Sequence, residues 1–450
     1  MFLSAAPLYA QKLSDYKLPE ITADTLVANH LDNLRRIKNT GVPGESFLVQ
    51  MYGQSIVASL ENKSLQEFFD DLLPKQEVQV INNGIGGFRA PTLIRTASSD
   101  LYPHYPDLLV FHVYGGIKDG VLNEFFKEIR LRLGSDVLIF DHHYSFVNDE
   151  GGQRRLNEGE SKKSNIMKSL AIENGFGFIE VRKYWKEFLD LNPELVITDL
   201  LKDRVHPNDL GKDLLHFIIK QSIRKGLSIQ STSPIKKVQY IDTAFIDIQS
   251  SKQLKLSFEG NRIDAIIPAG IKKSDFQIFI DDKRALKSNL FYVTRLGRFP
   301  GQWYPAISSI GLDDNIEYLE EEWTLNFYDI DYDKSTYKLD LTGSKTGTDG
   351  SGASGSDFKS NSGRISFIPS DVRFLPPSKR MIDEKVYQQE IKFETLPLFM
   401  DPMRVDKSGQ YTIVKGLPNT KHTITIVSQK PQNFDDWKFK VYQPLKRASD

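Results

Sequence analysis

The chain has 450 residues, 26% of them charged and 40% hydrophobic, with 58 Lys and Arg against 59 Asp and Glu. A formal net charge of −1 gives no footing for nucleic acid or an anionic membrane as partner, and no apolar run approaches the roughly twenty residues that cross a bilayer. The absence of cysteine excludes disulfides, thiolate zinc sites and cysteine nucleophiles, and the length predicts two or three domains.

In chain order, "MFLSAAPLYA" (1–10) followed by "QKLSDYKLPE" reads as the clipped end of a signal peptide or as a plain N-terminal tail. The first of these predicts a secreted or periplasmic protein, and residues 1–44 are set aside as an N-terminal segment. From 45 to 230 short apolar runs alternate with helical patterns. "ESFLVQMY" (45–52), "EVQVINN" (77–83), "DLLVFHVY" (107–114), "DVLIFDHHY" (136–144) and "GFGFIEV" (175–181) predict strands, and their unbroken apolar character suits a parallel sheet covered on both faces. Helices are predicted over 64–73, 121–133 and 212–226. This alternation predicts a three-layer α/β domain, with ligands bound beyond the carboxyl ends of the strands. The charged, glycine-bearing stretch 145–164 reads as a lid or a disordered loop beside that site.

After "SIQSTSP" (228–234) the pattern changes. "YIDTAFIDI", "LKLSFEG", "FQIFIDD", "WTLNFYDI", "YKLDLTG", "GRISFIP", "QYTIV" and "HTITIVS" are short and mostly alternating. They predict a β-sandwich or jelly-roll-like region over 234–450, in one module or two. Within it "TGSKTGTDGSGASGSDFKSNSG" (342–363) reads as a flexible loop, with Asp349 and Asp357 as a calcium alternative. Trp303, Trp323 and Trp437 are predicted core residues, with stacking on sugar rings as the alternative.

Three stretches could carry chemistry. Ser55 in "GQS" follows the first strand directly, and its hydroxyl is either a helix cap or a nucleophile. Val57 rules out the Gly-x-Ser-x-Gly elbow. "NNGIGGFRA" (82–90) is either a tight turn or a loop that offers a backbone N–H to an oxyanion. In "LKDRVHPNDLG" (201–211) Asp203 is spaced to hold one ring nitrogen of His206 while the other faces outwards as a base. Alternatively this is a polar loop whose Asn208 and Asp209 cap the next helix. "DHHY" (141–144) is read as substrate contact or plain structure rather than a metal site, since adjacent histidines on a strand point to opposite faces.

Taken together, these stretches resemble the SGNH (GDSL-type) hydrolases, serine esterases on a flavodoxin-like sheet. The resemblance covers about residues 45–225 and three of four signature blocks. Gly-Gln-Ser resembles the first block of carbohydrate O-acetylesterases in that superfamily and implies Ser55 as nucleophile. "NNGIGG" implies that Gly87 joins the Ser55 N–H in the oxyanion hole, and the last block implies Asp203 and His206 as orienting acid and general base. The third block departs from the family. In "HVYGGIKD" (112–119) Ile117 or Lys118 stands where the family has an oxyanion-donating asparagine. Gln54, Asn83, Arg89 and His112 are the candidates to replace it. With Tyr114, Gly116 and His142 they are also the candidates for substrate contact, Arg89 through a uronate or sulfate. The resemblance implies an O-acyl, chiefly O-acetyl, esterase acting on a carbohydrate without cofactor or metal. The alternatives are a degenerate, glycan-binding relative and an O-acyltransferase using the same triad.

Overall fold

The structure is a computed structural model that describes residues 12–444 other than 42, 149–153, 232–237, 242–245, 285–290, 297–304, 313–315, 317–318, 375–388 and 398–402. The N-terminal ten residues and Trp303 therefore lie outside the described residues. Contacts divide the chain into two compact units. One comprises 1–90, 106–127 and 135–235, the other 91–105, 128–134 and 236–450.

In the first unit the five apolar runs form β1 (Ser46–Gly53), β2 (Glu77–Gly84), β3 (Leu108–His112), β4 (Asp136–Phe140) and β5 (Gly177–Ile179). All pair in parallel, in the order β2-β1-β3-β4-β5, which is the flavodoxin-like arrangement. Every residue of β3 and β4 is buried because helices cover both faces, and this is why those runs do not alternate. On one face Val49, Met51 and Val110 join Phe68 and Phe69 of helix Asn62–Leu72 and Leu214, Ile218 and Ile219 of helix Asp209–Ser228. On the other, Phe111 meets Phe125 and Phe126 of helix Val121–Arg132 edge-on, at 5.5 and 5.8 Å between ring centroids. The last helix starts earlier than its apolar period predicts. Asn208 caps it by accepting the Gly211 N–H at 3.0 Å, which draws "DLG" into the first turn.

Among the described residues of 145–164, regular structure replaces the expected loop. Phe146–Asn148 and Arg154–Leu156 pair as a hairpin, and helix Glu160–Glu173 follows. Phe146 is buried, which gives the hairpin an apolar anchor that the charge-rich composition hides.

The β-rich unit holds two antiparallel cores. The first contains Leu256, Ile263, Ile278, Ile426 and Trp437, and the second Trp323, Leu325, Leu339 and Phe393. The second sheet uses chain between 291 and 397, and so is inserted between strands Ser274–Ile280 and Gly409–Ser428 of the first. Burial along Glu321–Asp331 alternates with period two, as expected of a strand with one covered face. Trp323 and Trp437 are fully buried, as core residues are.

Two expectations need correction. "QYTIV" and "HTITIVS" are parts of one strand, Gly409–Ser428, paired along strand Gln253–Ile267. The Gly-Leu-Pro-Asn between them reads as a turn but forms a bulge. Pairing resumes at Thr420 opposite Gly260 after Lys415 opposite Arg262. The tract 342–363 is likewise ordered, since Gly347–Ala353 pairs with Thr336–Gly343. Buried Asp349 accepts both the N–H and the hydroxyl of Ser362, each at 2.7 Å. That network organises small residues which composition alone reads as flexible. The Asp349 carboxylate is thus engaged and Asp357 is exposed. Among the described residues no group of three acidic or histidine side chains could hold a metal ion.

Candidate active site

The carboxyl ends of β1, β2 and β3 are tied together by their own backbones. Ile85 N–H donates to Gly53 O at 2.8 Å, and Gln54 N–H to His112 O at 3.2 Å. Gly53 is required there, since a Cβ would collide with the His112 carbonyl oxygen. Chain leaving β1 then turns into the short helix Ser55–Ala58. Ser55 is the first residue of that helix and Gln54 its cap, so the serine hydroxyl is not spent on capping. The Ser55 N–H, at the first helical position, has no acceptor within the helix.

The loop after η-helix Ile197–Leu200 brings in the imidazole. His206 Nε2 lies 3.0 Å from Ser55 Oγ, and His206 Nδ1 lies 2.8 Å from Asp203 Oδ2. A carboxylate only accepts, so Nδ1 carries the proton and the bare Nε2 accepts from the serine hydroxyl. Asp203 Oδ1 also accepts the backbone N–H groups of Val205 at 2.9 Å and His206 at 2.7 Å. Partial burial pushes the Asp203 carboxyl up, but these bonds and the His206 ring together outweigh it and hold the group below the ordinary carboxylate range. Asp203 therefore stays ionised and holds the ring in one tautomer.

Gly87, in the loop after β2, has φ +81°, a left-handed conformation that glycine adopts without strain. Gln54 Oε1 accepts the Tyr114 N–H at 3.0 Å, which fixes the orientation of that amide. Arg89 is exposed, and its stem lies so close over Gly115 that a Cβ there would sit 2.5 Å from Arg89 Nε. Ala90 N–H donates to Gly115 O at 3.0 Å, pinning the third loop to the second. Ile117 is buried and Lys118 exposed. Asn83 is half-buried on β2.

His112, His142 and Gly116 are turned into the interior. Both rings are fully buried, and Gly116 is buried too. His112 Nε2 lies 3.0 Å from His142 Nδ1, and His142 stacks on Tyr114 with centroids 4.0 Å apart. His142 Nε2 faces Glu160 Oε2 at 3.5 Å. Burial, with each ring's neighbouring histidines, holds both imidazoles well below the usual value. Of the two readings of these residues, substrate contact or plain structure, such burial suits the second. His143, on the opposite face, is buried against Trp185 with ring centroids 4.9 Å apart. Its Nε2 lies 2.6 Å from Val205 O. Sequence reasoning does not single it out.

No family model and no curated protein matches the chain. Among solved structures it is similar to a two-domain esterase (CEX) active on acetylated mannans, at TM-score 0.38 and 12% identity over 93% of this chain and 98% of that one. It is also similar to Axe2, an acetylxylan esterase from Geobacillus stearothermophilus, at TM-score 0.33 and 15% identity over 42% of this chain and 97% of that one. A third is the acetyl xylan esterase AlAXEase, at TM-score 0.33 and 20% identity over 39% of this chain and 100% of that one. All three scores lie below 0.5, and the functional reading rests on the residues and distances above.

Proposed function

We propose that the chain is a serine esterase of the SGNH type that hydrolyses O-acyl esters, chiefly O-acetyl groups, on a carbohydrate. The observation that carries this reading is the alignment of Ser55 Oγ, His206 and Asp203 at 3.0 and 2.8 Å. An isolated serine has no means of attacking an ester at neutral pH, whereas one hydrogen-bonded to an oriented, uncharged imidazole does.

His206 takes the hydroxyl proton as Ser55 Oγ bonds to the ester carbonyl carbon. The N–H groups of Ser55 and Gly87 receive the negative charge that moves onto the carbonyl oxygen. As the intermediate collapses, the alkoxide leaves with the proton from His206, and the acyl group stays on Ser55. Water then attacks this acyl-enzyme and gives its proton to His206. Collapse returns that proton to Ser55 Oγ and frees the acid. The Gly-Gln-Ser block supports the carbohydrate assignment, and the site stands beyond the carboxyl ends of the parallel strands, where sheets of this kind bind ligands. Arg89, laid across Gly115, is one candidate for the donor that the third loop lacks.

The test is labelling with a fluorophosphonate, with the adduct mapped by mass spectrometry, beside acetate release from 4-nitrophenyl acetate and acetylated polysaccharides. Labelling at Ser55 is expected, and Ser55→Ala and His206→Ala should each lose at least about a thousandfold in rate. An adduct at another residue, or activity that survives both substitutions, removes the esterase reading. Acyl transfer to an added glycan that exceeds hydrolysis would assign the same triad to a transferase.

A further inference from the structure

The loop that presents His206 is held from beneath by a residue that takes no part in the proposed chemistry. Val205 and His206 share a peptide plane, and both of its polar atoms are engaged. Its N–H donates to Asp203 Oδ1 at 2.7 Å, and its carbonyl faces His143 Nε2 at 2.6 Å. A carbonyl oxygen only accepts, so His143 carries its proton on Nε2 and donates it. The ring is 1% exposed and rests on Trp185, itself fully buried. It therefore cannot swing away without opening the core. Burial, with lesser contributions of both signs from its neighbours, drives the His143 pKa down to about 4. The donor thus stays a neutral ring throughout the range in which an imidazole base works.

We infer that His143 is a positioning residue of the esterase: it fixes the peptide plane that carries His206, and so holds the His206 ring at hydrogen-bonding distance from Ser55. This rests on the Ser55–His206–Asp203 reading of the site. Two backbone bonds support the same loop, Phe146 N–H to Arg204 O at 3.2 Å and Lys202 N–H to His206 O at 2.9 Å. The bond from His143 is a side-chain tie, which substitution can cut. Misplacing a catalytic group by about 1 Å costs roughly a hundredfold in rate. That is the scale on which loss of this bond would be read.

Steady-state kinetics on 4-nitrophenyl acetate would compare wild type, His143→Phe, His143→Gln and Ser55→Ala, each checked by circular dichroism and thermal melting. Phenylalanine keeps a ring against Trp185 but offers no donor. It is expected to lower kcat about ten- to a hundredfold while KM stays within about twofold. Glutamine, whose amide nitrogen reaches about as far as Nε2, is expected to restore most of the loss. If His143→Phe does not fold, His143→Met makes the same comparison with glutamine. A folded donor-less variant with wild-type kcat overturns the inference, as does a glutamine variant equally impaired. Activity persisting in Ser55→Ala would instead remove the site reading itself, which keeps the two failures apart.

Discussion

The two units differ in how many of their buried polar groups are left perturbed. In the β-rich unit each buried carboxylate has its donors close by. Asp264 takes two bonds from Arg262 at 2.8 Å and one from Gln410 at 2.7 Å. Glu321 takes the Lys345 and Thr346 N–H groups at 2.9 and 3.0 Å, and Asp371 takes Arg95 and Ser308. The α/β unit has closed carboxylates too, Asp136 taking the Asn33 and Leu34 N–H groups at 3.1 and 3.0 Å and Glu45 taking Arg36 at 2.9 Å, but it also holds a cluster in states that cost energy. His112, His142 and His143 are uncharged inside the protein, and burial pushes Asp141 up to about 7. Closed pairs hold a fold together, whereas open, perturbed groups cluster where a site has to be shaped. On the proposed function the first unit carries the chemistry, and the contrast gives a way to ask whether the second only supports the fold.

The strongest way to test this contrast is to break a closed pair. Asp264→Leu leaves the Arg262 guanidinium without its carboxylate in a buried setting, which should cost about 3–5 kcal/mol of stability. Urea unfolding would measure that loss, while kcat on 4-nitrophenyl acetate for the folded fraction should not change. A parallel fall in kcat would end the division of labour.

A second, smaller effect should appear with pH. His112, His142, His143 and His216 all have folded pKa values below the ordinary 6.5, the last two at about 4. Below about pH 6.5 the unfolded chain binds protons that these folded rings refuse, so stability falls as pH drops toward 4. Asp141 acts in the opposite sense. Its raised pKa retains a proton in the folded state between about pH 4 and 7, adding stability that is lost as pH rises through that window. Burial raises Asp213 as well, so four imidazoles stand against two carboxyls and leave net acid destabilisation of the α/β unit. The β-rich unit contributes His104 to the same effect. Calorimetry from pH 7 to 5 should therefore move the α/β transition down further than the β-rich one. Equal shifts would contradict the assignment.

The smallest expected effect is that of a chelator. With Asp349 engaged by Ser362, adding EDTA should leave both melting transitions where they were. A fall in the β-rich transition would restore a metal site to the 342–363 segment.

Much of the α/β unit is legible in the sequence. Five apolar runs, three glycines after the second, and an Asp-x-x-His spacing near the last helix are all local signals. Each reflects physics that acts within a few residues. The same local rules mislead in two ways. Gly-Leu-Pro-Asn at 416–419 carries every mark of a turn but is a bulge, because its flanks both pair with one long partner strand. The composition of 342–363 reads as flexible, yet two buried carboxylates, Glu321 and Asp349, organise it.

What the sequence determined by itself is the strand and helix periodicity and the residue types at the loop ends. Hydrophobic burial and backbone geometry impose those locally. Tertiary structure alone decided that His206 Nε2 stands 3.0 Å from Ser55 Oγ across 151 positions of chain, and that His142 and His143 part company beneath the site. Such distances depend on how separate elements stack, and no periodicity within one element encodes the gap to another.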